Sequence, residues 1–260
     1  MIINNEPYYQ VIGDEVKIFE AAYQQNLPLL LKGPTGTGKS RFIEYMAWKL
    51  KKPIYTVACH EETSSTDLLG RYLLKGDKAV WQDGPLTKAV REGAIIYLDE
   101  VAEARPDILV AIHSLTDYRR TLYLDKLGEE LVANENFMLV ASFNPGYQKG
   151  YKELKPSTRQ RFVSIQFNHP DTSVEIEVIK SETKINESTA KSLVKIASKI
   201  RNLSELGLAE TVSTRLLVDA AYLINAGLNP RKAVETAVIQ PLTDEEEIVE
   251  SLTTLSDLMI

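Results

Sequence analysis

A chain of 260 residues with 44% apolar and 25% charged side chains is long enough for a core domain plus a smaller one, and this composition excludes disorder and fibrous repeats. Its 36 acidic against 30 basic residues give a net charge of -6, which disfavours a broad grip on a phosphate backbone and hence a nucleic-acid partner. Cys59 is the single cysteine, which excludes an intrachain disulfide and a thiolate metal cluster.

The N-terminus MIINNEPYYQ lacks a basic segment followed by an apolar stretch, and no run approaches the ~18 apolar residues that span a bilayer. The expectation is a soluble, unexported, cytoplasmic protein without a membrane partner. LPLLLK at 27–32 is a short apolar run ending at a glycine, as in a strand buried on both faces. After Ser40 the period changes: Ile43, Met46, Ala47 and Leu50 form the stripe of an amphipathic helix.

IYTVA at 54–58 and AIIYLD at 94–99 read as further strands, both central. Between them, apolar stretches flanking Lys75, Gly76, Asp77 and Lys78 predict a hairpin inserted in a helical region. A helix is expected over 106–116, with Pro106 in its first turn, and a second hairpin turns near Gly128. FMLVASF at 137–143 and VSIQF at 163–167 supply a fourth and a fifth buried strand. This alternation predicts a parallel α/β sheet. Beyond His169 the signals are helical: Leu193, Ile196, Ala197 and Ile200 form one stripe, and Asn229 with Pro230 starts a later helix. The expected division is an α/β domain over 1–168 and a helical domain over 169–260.

Gly33, Pro34, Thr35, Gly36, Thr37, Gly38, Lys39 and Ser40 satisfy G-x-x-x-x-G-K-S between a strand and a helix. Glycines let successive N–H groups turn inward toward phosphate oxygens, at the positive end of the helix dipole. Lys39 would neutralise the β- and γ-phosphates of a nucleotide, and Ser40 would hold Mg²⁺. Asp99 and Glu100 close an apolar strand at the edge where open α/β sheets bind ligands. Asp99 suits the Mg²⁺ shell, and Glu100 suits a general base acting on water. His60, His113 and His169 have no ligand spacing, and Cys59 beside His60 reads as a packing pair.

GPTGTGKS with IIYLDE, ASFNP and STRQRF resembles the AAA+ ATPases, P-loop NTPases whose αβα core carries a helical lid. The strings DLLGRYL, DGPLTKAVREG, YLDEVAEAR, FNPGYQ and KPSTRQRF resemble, more narrowly, the MoxR branch and its CbbQ/NirQ/NorQ family. The resemblance implies ATP and Mg²⁺ as ligands, a homo-hexameric ring, Asn144 as sensor 1, and Arg161, or else Arg159, as an arginine finger reaching the next subunit. It implies sensor 2 at Arg215, and an adenine-packing segment at Val11, Ile12 and Gly13 unless these are simply core. The hairpins at 70–83 and 120–136 match insertions of the branch; their tips contact a substrate or partner, or are surface ornament.

Family members of the CbbQ type act with a von Willebrand A-domain partner of the CbbO type to free Rubisco of inhibitory sugar phosphates. NorQ and NirQ relatives assist nitric oxide reductase maturation with a NorD-type partner. The motif strings resemble CbbQ most, so Rubisco is the expected client. The competing readings are a monomeric P-loop kinase or GTPase, and a nucleotide switch without turnover. No N-K-x-D guanine signature is present, and Glu100 would be without purpose in such a switch.

Overall fold

Helix α1 (Glu15–Gln24) turns Phe19 and Ala22 inward, and strand β1 (Leu29–Lys32) follows with Leu29, Leu30 and Leu31 fully buried. Burial on both faces explains why that strand is continuously apolar rather than alternating. Helix α2 (Lys39–Lys49) buries Phe42, Ile43, Met46 and Ala47 along one stripe, and Phe42 meets Phe19 edge-on with ring centroids 5.7 Å apart. Then come β2 (Ile54–Ala58), α3 (Ser65–Leu69), the hairpin β3 (Gly70–Lys75) and β4 (Lys78–Asp83), α4 (Pro85–Glu92) and β5 (Ile95–Asp99). Helix α5 (Pro106–His113), the hairpin β6 (Thr121–Leu124) and β7 (Glu129–Val132), β8 (Met138–Phe143), the short α6 (Pro156–Arg159) and β9 (Val163–Gln166) complete this part.

The structure is a computed structural model that describes residues 2–145, 154–203, 208 and 210–259. The chain splits into two compact units, Met1–Gly33 with Lys39–Gln166, and Pro34–Gly38 with Phe167–Ile260. In the first unit five parallel strands form one sheet in the order β2-β5-β8-β1-β9. Ile96, Leu98, Leu139 and Ala141 pack with Val90 of α4, Ile108 and Ile112 of α5, and Leu122 and Leu124 of the second hairpin. Both hairpins form where the turn residues predict them, and the Tyr72 hydroxyl of the first donates to the Lys126 carbonyl of the second at 3.3 Å.

Two strands stand elsewhere than expected. β2 is an edge strand, not a central one, and β9, expected to be buried, is the opposite edge with only Ile165 fully inside. Apolar composition reports what covers a strand's faces, not how many neighbours it has: Tyr55 and Val57 are only partly buried, packed against the core from the rim. No helix among the described residues is long and apolar enough to cross a membrane.

The second unit gathers helices α7 (Thr172–Thr183), α8 (Glu187–Arg201), α9 (Thr214–Asn225), α10 (Pro230–Val234) and α11 (Glu246–Asp257). The α8 stripe of Leu193, Ile196, Ala197 and Ile200 is buried, and Asn229 caps α10 by accepting the Arg231 N–H at 3.0 Å. Inside this apolar unit Glu175 is fully buried and takes both ends of the Arg201 guanidinium at 2.7 and 2.8 Å, plus the Thr214 hydroxyl at 2.7 Å. Arg201 also donates to the Val212 carbonyl at 2.8 Å, so one ion pair ties down the Val212 carbonyl and the Thr214 hydroxyl on either side of Ser213.

Removing one partner strands the other charge in the core. Glu175→Ala is therefore expected to cost this unit about 3 kcal/mol, while Glu175→Leu with Arg201→Met, which removes both charges, costs less. Thermal unfolding followed by circular dichroism measures both, and a double variant no more stable than the single one would contradict this account.

Candidate functional site

The carboxyl ends of β1, β5 and β8 lie side by side, because Lys32 is in register with Phe143 and Leu98 with Ala141. Gly33, Lys39, Ser40, Asp99, Glu100 and Asn144 collect at this edge. Gly33 follows β1, and its N–H donates to the Phe143 carbonyl at 3.4 Å. Lys39, buried at the start of α2, folds its Nζ back to donate to the Gly33 carbonyl at 2.7 Å. A buried ammonium requires such an acceptor, and an anion in the loop would compete for it. Ser40, exposed, holds its Oγ 3.4 Å from Asp99 Oδ2 and 3.3 Å from the Tyr97 hydroxyl.

Asp99 ends β5, and its other oxygen, Oδ1, accepts the hydroxyls of Tyr97 at 2.6 Å and Ser142 at 2.5 Å. Burial, reinforced by the Asp99 charge, pushes the Tyr97 hydroxyl well above the usual tyrosine range, so it remains a proton donor. Glu100 is exposed and sits at φ 54°, ψ 47°, a left-handed conformation that costs a residue other than glycine about 1 kcal/mol or more. Its N–H donates to Ser142 Oγ at 3.1 Å, and its carbonyl accepts from Glu103 N–H at 2.9 Å, which holds the turn. Asn144, partly buried, follows directly on β8. The 146–148 part of FNPGYQ lies outside the described residues.

Hard oxygen donors at Ser40 and Asp99 fit Mg²⁺, which keeps waters and phosphate oxygens in its shell rather than needing a protein cage. Among the described residues no group of three or more His, Cys, Asp or Glu side chains could form such a cage. Cys59 is buried beside this edge, with its thiol pushed up to about 12 by burial and then by the charges of Asp99 and Glu100. Burial and the raised pKa both disfavour the thiolate form that a nucleophile needs.

The arginines lie away from this cluster in sequence, on α6 and just after it. Arg161 donates to the His113 carbonyl at 3.4 Å and lies 3.7 Å from Asp117. Hydrogen bonds from Arg119 hold the Asp117 carboxyl down at about 2, and the charge of Arg161 adds to this. Arg159 has no side-chain partner among the described residues. Val11 and Ile12, which the sequence left open as core, are 42% and 54% exposed. Glu15 pins that segment by accepting the N–H groups of Ile12 and Gly13 at 2.8 and 2.7 Å and the Tyr9 hydroxyl at 3.0 Å. Burial works to raise the Glu15 pKa, but these donors outweigh it and lower the value.

In the second unit the loop Pro34–Gly38 lies against the start of α9. Thr35 donates to Glu210 at 3.1 Å, and Thr37 closes the loop on the Pro34 carbonyl at 2.8 Å. Gly36 has φ +73°, and a Cβ there would stand 2.4 Å from the Cβ of Ser213, so both conformation and space require glycine. Arg215 is exposed in the first turn of α9, one residue past the buried Thr214.

Tyr97, Ser142, Glu15 and Asp117 were not singled out from the sequence. The signal for the first two was a hydroxyl inside each of two otherwise aliphatic strands, because a buried hydroxyl must find a partner.

The model of the AAA domain (dynein-related subfamily) matches residues 28–162, and that of the CbbQ/NirQ/NorQ C-terminal region matches residues 175–259. The chain is 55% identical to Protein NorQ of Paracoccus denitrificans, over 96% of this chain and 93% of that one. It is 53% identical to Protein CbbQ of Hydrogenophilus thermoluteolus, over 95% and 92%. It is 50% identical to the denitrification regulatory protein NirQ of Pseudomonas aeruginosa, over 98% of each. A crystal structure described as a candidate ATPase of Cytophaga hutchinsonii shares the fold, with a TM-score of 0.53 and 17% identity over 96% of this chain and 90% of that one. With a P-loop strand and helix, a strand-end Asp-Glu pair, a parallel α/β sheet and both family regions in one chain, the protein belongs to the CbbQ/NirQ/NorQ family of AAA+ ATPases.

Proposed function

We propose that the chain binds ATP with Mg²⁺ and hydrolyses it as a subunit of a homo-hexameric ring, using the free energy to remodel a client protein. The observation that carries this reading is the meeting of Lys39, Ser40 and Asp99 at one sheet edge, with Ser40 and Asp99 3.4 Å apart and Glu100 next in the chain. Residues 1–168 act as the ATPase core and 169–260 as the lid. Gly33, Pro34, Thr35, Gly36, Thr37 and Gly38 present backbone N–H groups to the phosphates, and Lys39 neutralises them. Ser40 and Asp99 would hold Mg²⁺, whose charge would help neutralise the phosphates.

Glu100 takes the proton of the attacking water and Asn144 orients that water. Arg161, with Arg159 as the second choice, stabilises charge at the neighbouring subunit's nucleotide. Arg215 senses the γ-phosphate, and the surface apolar pair Val11 and Ile12 packs on adenine. Family membership favours this assembly over a monomeric kinase or GTPase, and Glu100 favours turnover over a passive switch.

Lys39→Ala is expected to lower ATP affinity about ten- to a hundredfold, because it removes a charge-assisted contact. Calorimetry checks this, and unchanged affinity would count against the phosphate loop.

The partner we propose is a von Willebrand A-domain protein, and the site of action the cytoplasm. For the client, Rubisco relieved of sugar phosphates is the reading taken from the CbbQ resemblance. A nitric oxide reductase client with a NorD-type partner is favoured equally by the relative named NorQ, at 55% against 53% identity. Purifying the chain with each A-domain partner in turn, and measuring whether Rubisco or nitric oxide reductase stimulates phosphate release, decides between them. Stimulation by neither client removes both.

A further inference from the structure

Strand β5 reads Ile95, Ile96, Tyr97, Leu98, Asp99, and β8 reads Met138, Leu139, Val140, Ala141, Ser142, Phe143. Each carries one uncharged hydroxyl among apolar side chains, and both hydroxyls are buried, Tyr97 at 1% and Ser142 at 0% exposure. Phenylalanine and alanine would pack such strands without the desolvation that a hydroxyl suffers, so the polar atoms need a reason beyond packing. Parallel register puts Tyr97 beside Val140 and Leu98 beside Ala141, and side chains two apart on a strand share a face. Tyr97, Asp99 and Ser142 therefore stand on the same side of neighbouring strands.

We propose that Tyr97 and Ser142 are positioning residues that pin Oδ1 of Asp99, leaving Oδ2 aimed at Ser40 and the Mg²⁺ shell. The inference rests on the nucleotide-binding reading above. Both hydroxyl hydrogens go to Oδ1, at 2.6 and 2.5 Å, and the Tyr97 and Ser142 oxygens are 3.1 Å apart. Oδ2 has the Ser40 hydroxyl at a looser 3.4 Å. The carboxylate is thus held tightly at Oδ1 and only loosely at Oδ2, on the side of Ser40.

Ser142 acts twice, because its oxygen also accepts the Glu100 N–H at 3.1 Å and so supports the left-handed turn immediately after Asp99. One hydroxyl on β8, two residues before Asn144, therefore sets the orientation of one carboxylate and the backbone of the next. Partners that orient a metal-ligating group commonly tune metal affinity about ten- to a hundredfold.

The test uses the full-length chain, Tyr97→Phe and Ser142→Ala, and a fluorescent non-hydrolysable ATP analogue whose binding is titrated at graded Mg²⁺. Each variant is expected to raise the Mg²⁺ concentration giving half-maximal enhancement of binding about tenfold, while affinity in EDTA stays within about twofold of the parent. An unchanged Mg²⁺ requirement in both variants overturns the proposal and leaves the nucleotide-binding reading standing. Equal losses with and without Mg²⁺ also overturn it, since they signal general disorder. A parent chain that fails to bind the analogue at any Mg²⁺ concentration defeats the underlying reading instead. If Ser142→Ala does not fold, Tyr97→Phe, which removes one oxygen and almost no volume, decides alone.

Discussion

Glu100→Gln is expected to bind ATP within about threefold of the parent and to release phosphate about a thousandfold more slowly, the range in which a positioned general base contributes. Glutamine keeps the length and shape of the side chain and one of its two oxygens, so it can still hydrogen-bond a water. It cannot take a proton. The backbone is secured independently of the side chain, by Ser142 Oγ on the N–H and Glu103 on the carbonyl, so the left-handed turn survives the change. Hydrolysis should stop with the triphosphate held, and an assembled ring should remain locked in its ATP state. Steady-state phosphate release and calorimetric binding together measure this. A variant turning over at more than about a tenth of the parent rate would take Glu100 out of the chemistry, and one that lost affinity in step with turnover would make its role binding rather than catalysis.

The parts of this molecule legible from sequence are those in which chemistry and local geometry coincide. G-x-x-x-x-G-K-S needs a strand before it and a helix after it, and β1 and α2 stand there. The hairpin tips carry Gly76 and Gly128 at positive φ, a conformation that the turn residues announced. Strand order was not legible, because hydrogen-bonded neighbours leave no periodic trace. IYTVA looked central and lies at the rim. Helix α1 is a further legible element: Val16, Phe19 and Ala22 recur at helical spacing, directly after Asp14 at the N-cap and Glu15 in the first turn. The hydroxyls around Asp99 were unread for a different reason: a tyrosine or serine in an apolar run is informative only once register shows what it faces. Likewise Glu15 is unremarkable as an acidic first-turn residue until its two backbone donors are seen.

The proposed action of Arg161 in trans carries the second large effect. Arg161→Ala is expected to fold, to bind ATP and to lose about a thousandfold in turnover, the low end of what an arginine finger supplies. Folding should be spared because what the guanidinium gives up is weak: a 3.4 Å bond to the His113 carbonyl and a 3.7 Å approach to an Asp117 already occupied by Arg119 at 2.6 Å. Such loose contacts also leave the side chain free to be taken up by another subunit's phosphate. Mixing separates this from an effect within the chain. An Arg161→Ala subunit keeps an intact nucleotide site, and a Lys39→Ala subunit keeps an intact finger. Each is inactive in a ring of its own kind, but where the second faces the first in a mixed ring one site is complete. Partial activity should therefore return on mixing, rising and falling with the ratio. No recovery at any ratio, in rings shown to exchange subunits, would place the arginine's action within its own chain. Full activity in Arg161→Ala together with a comparable loss in Arg159→Ala would move the role two residues back, to the guanidinium that has no partner among the described side chains.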